Sequence, residues 1–159
     1  MLTKPLPCGT RPAPGASCQG AARRILQQHH AGWRTGDHPP RGCQRRWGRS
    51  SPGAFVKADT FSVRWSGTVT AAQAGNDVFE TWADDGVRLW VDGQRVIDQW
   101  KVRAATLIAS RAITLRANQK VSIRMEYCDN MRHAVAQLRW RLPGAPTGTV
   151  IPADRLSAP

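Results

Sequence analysis

Short runs of alternating apolar and polar residues, each ended by turn-forming residues, most limit what this chain can fold into. The clearest runs cover residues 61–66, 87–92, 113–116, 121–127 and 134–142. A period of two places alternate side chains on opposite faces of a β-strand, so each run predicts a strand with one buried face. About seven such runs without a helical period predict an all-β, antiparallel sandwich or barrel.

Turn chemistry between the runs supports this fold class. The dipeptide Asp92-Gly93 separates two of the predicted strands, and both central positions of a type I′ turn need a positive φ, which Asp and Gly tolerate. The sequence therefore predicts a β-hairpin at this point. A second turn is expected at Ala117-Asn118-Gln119.

The first third of the chain has a different composition. Residues 1–46 are rich in Pro, Gly, Arg and Gln and show no lasting apolar period, so we expect an unstructured basic segment there and a single domain over residues 47–159. Residues 1–52 hold nine Lys or Arg against one acid, whereas residues 53–159 hold fourteen against ten. The basic excess permits a nucleic-acid or membrane-surface tail, but composition favours a disordered arm, so a nucleic-acid partner is not expected.

Cysteine and apolar patterns exclude several classes of protein. No apolar run is long enough to cross a membrane, and the N-terminus lacks the apolar stretch of a signal peptide. We therefore expect neither membrane insertion nor a secretory leader in this chain. Only Cys128 falls in the patterned region, which argues against a disulfide within that region and against a structural zinc site.

Seven short motifs follow one another in the patterned region. They are W-G-R-S-S-P at 47–52, F-S-V-R-W-S-G at 61–67, D-D-G-V-R-L-W-V-D-G at 84–93, V-I-D-Q-W at 96–100, E-Y at 126–127, L-R-W at 138–140 and V-I-P at 150–152. This ordered set resembles the PA-fourteen domain of the anthrax protective antigen, yeast flocculins, adhesins and bacterial glycosidases. Each motif alone is weak, and their shared order carries the resemblance.

The resemblance implies a β-sandwich that binds calcium through two consecutive aspartates joined by a cis peptide bond. Those positions are Asp84 and Asp85, and a second loop brings Asp129 and Asn130 as further metal contacts. Calcium prefers several hard oxygen ligands at once, which these side chains offer. The alternative is an acidic turn in which Gly86 adopts a positive φ and no metal binds.

Ligand contacts are expected close to these loops. The four candidates are Trp82, Trp100, Met131 and His133. An indole ring can stack on the apolar face of a sugar, although buried aromatic residues more often belong to the core. Trp65, Trp90 and Trp140 are interpreted as packing residues.

The sequence predicts no enzyme. Glu80 and Glu126 occupy outward positions of predicted strands, which is typical of a solvated sheet face and not of a glycosidase pair. No nucleophile, phosphate-binding or histidine-rich metal motif is present.

The resemblance favours a calcium-dependent glycan-binding module of a larger, secreted or cell-surface bacterial protein. The alternatives are a structural or protein-interaction sandwich without a sugar site, and nucleic-acid binding through the basic arm. Neither the sugar nor the oligomeric state follows from the sequence.

The family's first strand, which usually contains Y-F-N-N, is not visible before Trp47. Residues 24–29 can, however, be back-translated into codons that encode E-Y-F-N-N when read one base later. We therefore hypothesise that residues 1–46 are an out-of-frame translation, and the nucleotide sequence tests this idea directly.

Overall fold

A computed structural model of the protein describes residues 25–29, 44–48, 59–130 and 133–157. Strands dominate these ranges, with a short 3-10 helix at Ala153–Arg155. The strands are β1 (Ile25–His29), β2 (Gln44–Gly48), β3 (Phe61–Thr70), β4 (Gly75–Asp84), β5 (Gly86–Val91), β6 (Gln94–Gln99), β7 (Thr106–Leu115), β8 (Lys120–Asp129), β9 (Ala134–Arg141), β10 (Thr149–Val150) and β11 (Leu156–Ser157). In the described part of the chain, no helix has the length and apolar character needed to cross a bilayer.

The strands form two sheets. Sheet one has the order β1-β3-β8-β5-β6, with β11 also paired to β3, and sheet two has the order β10-β9-β4-β7, with β2 also paired to β9. The pairings are antiparallel except that of β1 with β3, which is parallel. The predicted all-β, antiparallel architecture is confirmed.

The core lies between the two sheets and follows the alternation seen in the sequence. Large buried side chains come from both sheets, with Trp65, Leu89 and Tyr127 on sheet one and Phe79 and Leu138 on sheet two. Each such side chain removed from water stabilises the fold by roughly 1.5–3 kcal/mol. Alternation therefore fixes which face of each strand points inward.

The predicted hairpin is confirmed. Asp92 and Gly93 connect β5 to β6 with φ values of 49° and 76°. Asn118, in the predicted turn between β7 and β8, also has a positive φ of 60°. Gly93 and Asn118 mark one end of the sandwich, called here the turn end.

Two strands lie in the first third, where the sequence analysis assigned no structure. β1 pairs with β3 from Ile25 opposite Ser62 onward, and β2 pairs with β9. Both extend the sheets by pairing with the outer edges of β3 and β9, and such backbone pairing requires no apolar alternation in the added segment. The remaining residues of the predicted unstructured segment lie outside the described residues.

The outward-facing glutamates differ from their predicted solvated state. Glu80 and Glu126 are both buried. Arg64 Nη2 lies 2.8 Å from Glu126 Oε1. The Nε atoms of Arg139 and Arg141 lie 3.8 and 3.7 Å from the carboxylate oxygens of Glu80. Arginine side chains thus cover both carboxylates, so the expectation of a solvated face is wrong at these two positions.

Cys128 is buried and disulfide-bonded. The chain's other cysteines, Cys8, Cys18 and Cys43, lie outside the described residues. The argument from sequence concerned disulfides within the patterned region and did not anticipate a bond from Cys128. Disulfides form and persist mainly in oxidising compartments.

Candidate metal centre

The end of the sandwich opposite the turn end carries the predicted acidic residues. β4 ends at Asp84, β5 begins at Gly86, and β8 ends at Asp129. Because Gly86 pairs with Cys128 across the two strands, the residue before Gly86 lies beside the residues that follow Cys128. The structure therefore brings Asp84, Asp85, Asp129 and Asn130 to one place, called here the acidic end.

The two aspartates are joined as the resemblance implies. The Asp84-Asp85 peptide bond is cis. Among the described glycines, positive φ values occur at Gly75, Gly93 and Gly144, and not at Gly86. The alternative of a turn made by a positive φ at Gly86 is therefore wrong.

Asp85 connects three segments of the chain. Its side chain is buried, with only 3% of the residue exposed. Oδ1 accepts a hydrogen bond from the backbone N–H of Arg103 at 2.9 Å, and Oδ2 accepts one from the backbone N–H of Asn130 at 2.8 Å. Asp85 thus holds the segment after β6 and the segment after β8 against its own loop.

Asp129 continues the inward alternation of β8 and is fully buried. Neither carboxylate oxygen has a hydrogen-bond partner among the described residues. The pKa of Asp129 is raised to about 7, mainly by burial and further by the negative charges of Asp85, Asp59 and Asp84. The backbone N–H of Thr60 offsets part of this shift, although its geometry falls short of a hydrogen bond.

Asp84 shares this electrostatic environment. Its pKa is raised to about 6, first by burial and then by the neighbouring Asp85 carboxylate, while the Ala105 N–H, His133 and Arg103 act in the opposite direction. Two carboxyl groups at this end therefore hold protons more tightly than isolated aspartates do. Such a site gains stability from an added positive charge.

Tyr127, which the sequence places in an alternating run and in the E-Y motif, also contacts the site. Its hydroxyl donates a hydrogen bond to the carbonyl oxygen of Asp84, the carbonyl of the cis peptide. Burial raises the pKa of Tyr127, and the carboxylates of Asp129, Asp85 and Asp84 raise it further, so it remains a neutral donor. Its inward position in the β8 alternation was the available sequence signal.

Arg103 was missed entirely. In addition to its backbone hydrogen bond, its Nε donates to the carbonyl oxygen of Asp85 at 3.4 Å. Residues 101–105 contain no motif and no alternation, so no signal in the sequence assigned this segment to the site.

Trp82 forms an exposed apolar pair beside the acidic end. Trp82 and Leu107 lie opposite each other on β4 and β7, and their exposed fractions are 36% and 46%. Asp84 lies two residues beyond Trp82, so alternation places both on the outer face of sheet two. The structure therefore sets a candidate ligand-contact residue next to the candidate metal residues.

The other candidate ligand contacts differ in their exposure and in their neighbours. His133 is exposed and acts on Asp84 electrostatically. Trp100 is half-buried, with the guanidinium carbon of Arg88 located 4.7 Å from its ring centroid. Met131 lies outside the described residues.

The tryptophans interpreted as packing residues differ in position. Trp65 and Trp140 are buried in the core. Trp90 is instead half-buried, with the guanidinium of Arg124 located 3.9 Å above its ring.

The acidic end fits a hard cation chemically. It combines the buried Asp129 carboxylate, which has no hydrogen-bond partner among the described residues, with two further aspartates and an asparagine, which offer the oxygen donors that calcium prefers. Within the described ranges, no three His, Cys, Asp or Glu side chains are already arranged as a metal cage. The amide, carbonyl or water oxygens would therefore have to complete the coordination shell.

Comparison with known families confirms the resemblance seen in the sequence. A family model described as "PA14 domain" matches residues 43–154. This match includes both acidic loops and every strand from β2 to β10.

Individual relatives are regulatory proteins. The chain is 46% identical over 94 residues to the anti-sigma-I factor RsgI3 of Acetivibrio thermocellus, which covers 59% of this chain and 14% of that protein. A solved structure of an anti-sigma factor domain-containing protein matches with a TM-score of 0.68 at 38% identity, over 75% of this chain and 41% of that one. A second, from Clostridium clariflavum, matches with a TM-score of 0.69 at 26% identity, over 95% and 53%. The chain thus spans about half or less of each relative.

These relatives overturn one prediction. The predicted calcium-dependent glycan-binding module of a larger, secreted or cell-surface bacterial protein is contradicted, because the named relatives are anti-sigma factors. The motifs on which the prediction rested belong to the sandwich and its loops, and these are shared by proteins with different roles.

Proposed function

Because the chain belongs to the PA14 domain family, we propose that it is the ligand-sensing domain of an anti-sigma-type regulatory protein. In this proposal the acidic end holds a divalent cation, calcium being the expected ion, and the ligand docks there. The observation that carries the cation site is the Asp129 carboxylate, which is fully buried without a hydrogen-bond partner among the described residues.

The electrostatics of the acidic end support a bound cation. A buried ionised carboxylate without a partner is costly, and Asp84 and Asp85 add negative charge beside it. Asp84, Asp85, Asp129 and Asn130 are the residues that would hold the ion. When bound, calcium would accept further oxygen ligands at positions that the protein leaves open.

The surface around the acidic end supports an oxygen-rich ligand with an apolar face. Trp82 and Leu107 provide an exposed apolar platform on the same sheet face as Asp84. Saccharides combine hydroxyl oxygens with an apolar C–H face, so a glycan partner is one member of this ligand class. His133 lies near Asp84 as a further candidate contact, and Met131 and Trp100 remain sequence-based candidates.

An extracytoplasmic location is part of the proposal. The disulfide at Cys128 supports it, because such bonds persist mainly in oxidising compartments. The chain spans 14% of the curated anti-sigma-I factor, so the regulatory interaction itself would involve parts of a longer protein.

Calcium titration with thermal unfolding tests the cation site. Calcium that binds the folded chain should raise the unfolding midpoint, because binding stabilises by about 2.7 kcal/mol when the free ion is at a hundredfold excess over Kd. Asp129→Asn removes the unpaired charge and should abolish most of this rise, read by scanning calorimetry in calcium and in chelator.

Asp77→Asn is the matched control. Asp77 is also fully buried with an unpartnered carboxylate, but it lies near the start of β4, away from the acidic end. This variant should keep the full calcium response. A wild-type chain whose midpoint is the same in calcium and in chelator would refute the cation site.

A ligand screen separates the sensing role from a purely structural one. The calcium-loaded wild type and Asp129→Asn should be applied to immobilised glycans and other polyhydroxylated polymers, with and without chelator. Binding that requires both calcium and Asp129 supports the proposal, whereas a uniformly negative screen favours a structural or protein-interaction domain.

A further inference from the structure

The acidic end contains a cation of the chain's own. The backbone N–H of Arg103 donates to Oδ1 of Asp85 at 2.9 Å, and its Nε donates to the Asp85 carbonyl oxygen at 3.4 Å. These two contacts fix the start of the side chain against the first acidic loop. The positive charge is therefore held beside the carboxylates by the fold and not by a flexible surface contact.

The guanidinium is close to the carboxylates without being paired to one. The ion pairs observed between described side chains do not include Arg103, and its Nη2 is buried without a hydrogen-bond partner among the described residues. Burial lowers the pKa of Arg103, while the charges of Asp85 and Asp84 act in the opposite direction. The arginine therefore acts on the carboxylates of Asp84 and Asp85 through space, by its charge.

The other charged groups of the described residues do not play this part. Asp59 adds a negative charge near Asp129, and His133 is exposed, which weakens its action through the solvent. Arg111 and Arg116 are exposed on or after β7 and make their described contacts elsewhere. Among the described arginines, Arg103 is the one that contacts Asp85 and acts on Asp84 by its charge.

We propose that Arg103 is a built-in counter-ion that sets the calcium affinity of the acidic end. Without calcium, the guanidinium offsets part of the repulsion between the carboxylates and stabilises the metal-free fold. With calcium, the same charge repels the ion and weakens its binding. This inference rests on the proposed cation site and adds to it a residue that determines the calcium concentration at which the site fills.

The two effects must have opposite signs, which gives the proposal a specific signature. Removing the positive charge raises the free energy of the metal-free form more than that of the calcium-bound form, because calcium already neutralises the carboxylates. A residue with only a packing role would lower the stability of both forms together. The combination of weaker metal-free stability and tighter calcium binding therefore identifies a counter-ion.

The test compares Arg103→Gln, Arg103→Lys and the control Arg116→Gln. Calcium Kd is measured by titration calorimetry, and the metal-free midpoint is measured by thermal unfolding in chelator. Arg103→Gln should bind calcium about tenfold more tightly and unfold at a lower temperature in chelator, because one nearby charge of this kind changes binding by roughly this factor. Arg103→Lys and Arg116→Gln should resemble the wild type in both measurements.

Chelator competition from the calcium-loaded form keeps the test usable if Arg103→Gln unfolds without metal. Unchanged or weaker calcium binding by Arg103→Gln, or an Arg103→Lys variant that behaves like it, would overturn the counter-ion role while leaving the cation site standing. A wild type that does not bind calcium would instead remove the proposed site, and this inference with it.

Discussion

Asp77 and Asp129 are both fully buried, and neither carboxylate has a hydrogen-bond partner in the described part of the chain, but of these two only Asp129 lies near other described acids. Asp77 faces inward near the start of β4, where burial alone raises its pKa from the ordinary value of 3.8. Asp77 is an isolated buried acid, which costs stability. Asp129 lies in a cluster of acids, which makes it a candidate cation ligand. At the residue scale, the neighbourhood of a buried acid therefore matters more than its burial.

Asp77 should make stability depend on pH. Its folded-state pKa lies above its unfolded value, so the folded chain holds the proton more tightly, and stability is lost as pH rises from about 3.8 through the raised pKa. Asp77→Asn cannot ionise, so its free energy of unfolding relative to wild type should increase over that pH range. Denaturant unfolding of both proteins in chelator, from pH 3.5 to 8, checks this (a range set by the ordinary carboxyl pKa).

The measurement uses the difference between the two proteins because Asp84 and Asp129 titrate in both of them. An offset between wild type and variant that is constant across the pH range would mean that Asp77 is not the titrating group.

At the scale of elements, Gly75 and Gly93 both have positive φ values but differ in their surroundings. A Cβ at Gly75 would lie 2.7 Å from Cγ of Pro143, whereas one at Gly93 would meet nothing within 4 Å. Gly93→Ala should therefore cost only the backbone strain, about 1–2 kcal/mol. Gly75→Ala adds overpacking at the start of β4 and should cost about 2–5 kcal/mol in total.

Denaturant unfolding of the two variants measures this difference. Equal losses of stability would show that Pro143 moves away readily and that the start of β4 is loosely packed.

Alternation predicted the strands whose one face enters the core, such as β3, β5 and β8, and it also predicted the Asp92-Gly93 turn. It could not reveal β1 and β2, because these pair through backbone groups at sheet edges and carry no pattern. The same limit applies to the site. The two acidic loops were found by motif, but Arg103 is brought to them only by the path of the chain after β6.

For the whole molecule, the sandwich has two unlike ends. The acidic end is held by hydrogen bonds to a charged side chain, from the backbone N–H groups of Arg103 and Asn130 to Asp85. The turn end is held by backbone pairs, from Asn118 N–H to Ala71 and from Asp92 N–H to Ser122. A cation at the acidic end would therefore stabilise that end directly. It would affect the turn end only through the packing of the core.

Hydrogen exchange should show this difference between the acidic end and the turn end. Calcium should slow exchange of the Arg103 and Asn130 amides by about tenfold or more, because local opening there would require release of the ion. The amides of Asn118 and Asp92 should change by less than about twofold where they exchange by local fluctuation. Peptide-resolved mass spectrometry in calcium and in chelator measures both sets, with Asp129→Asn as the control that removes the difference. Equal slowing at both ends would mean that calcium acts on global unfolding or binds elsewhere, and would contradict a cation held between the two acidic loops.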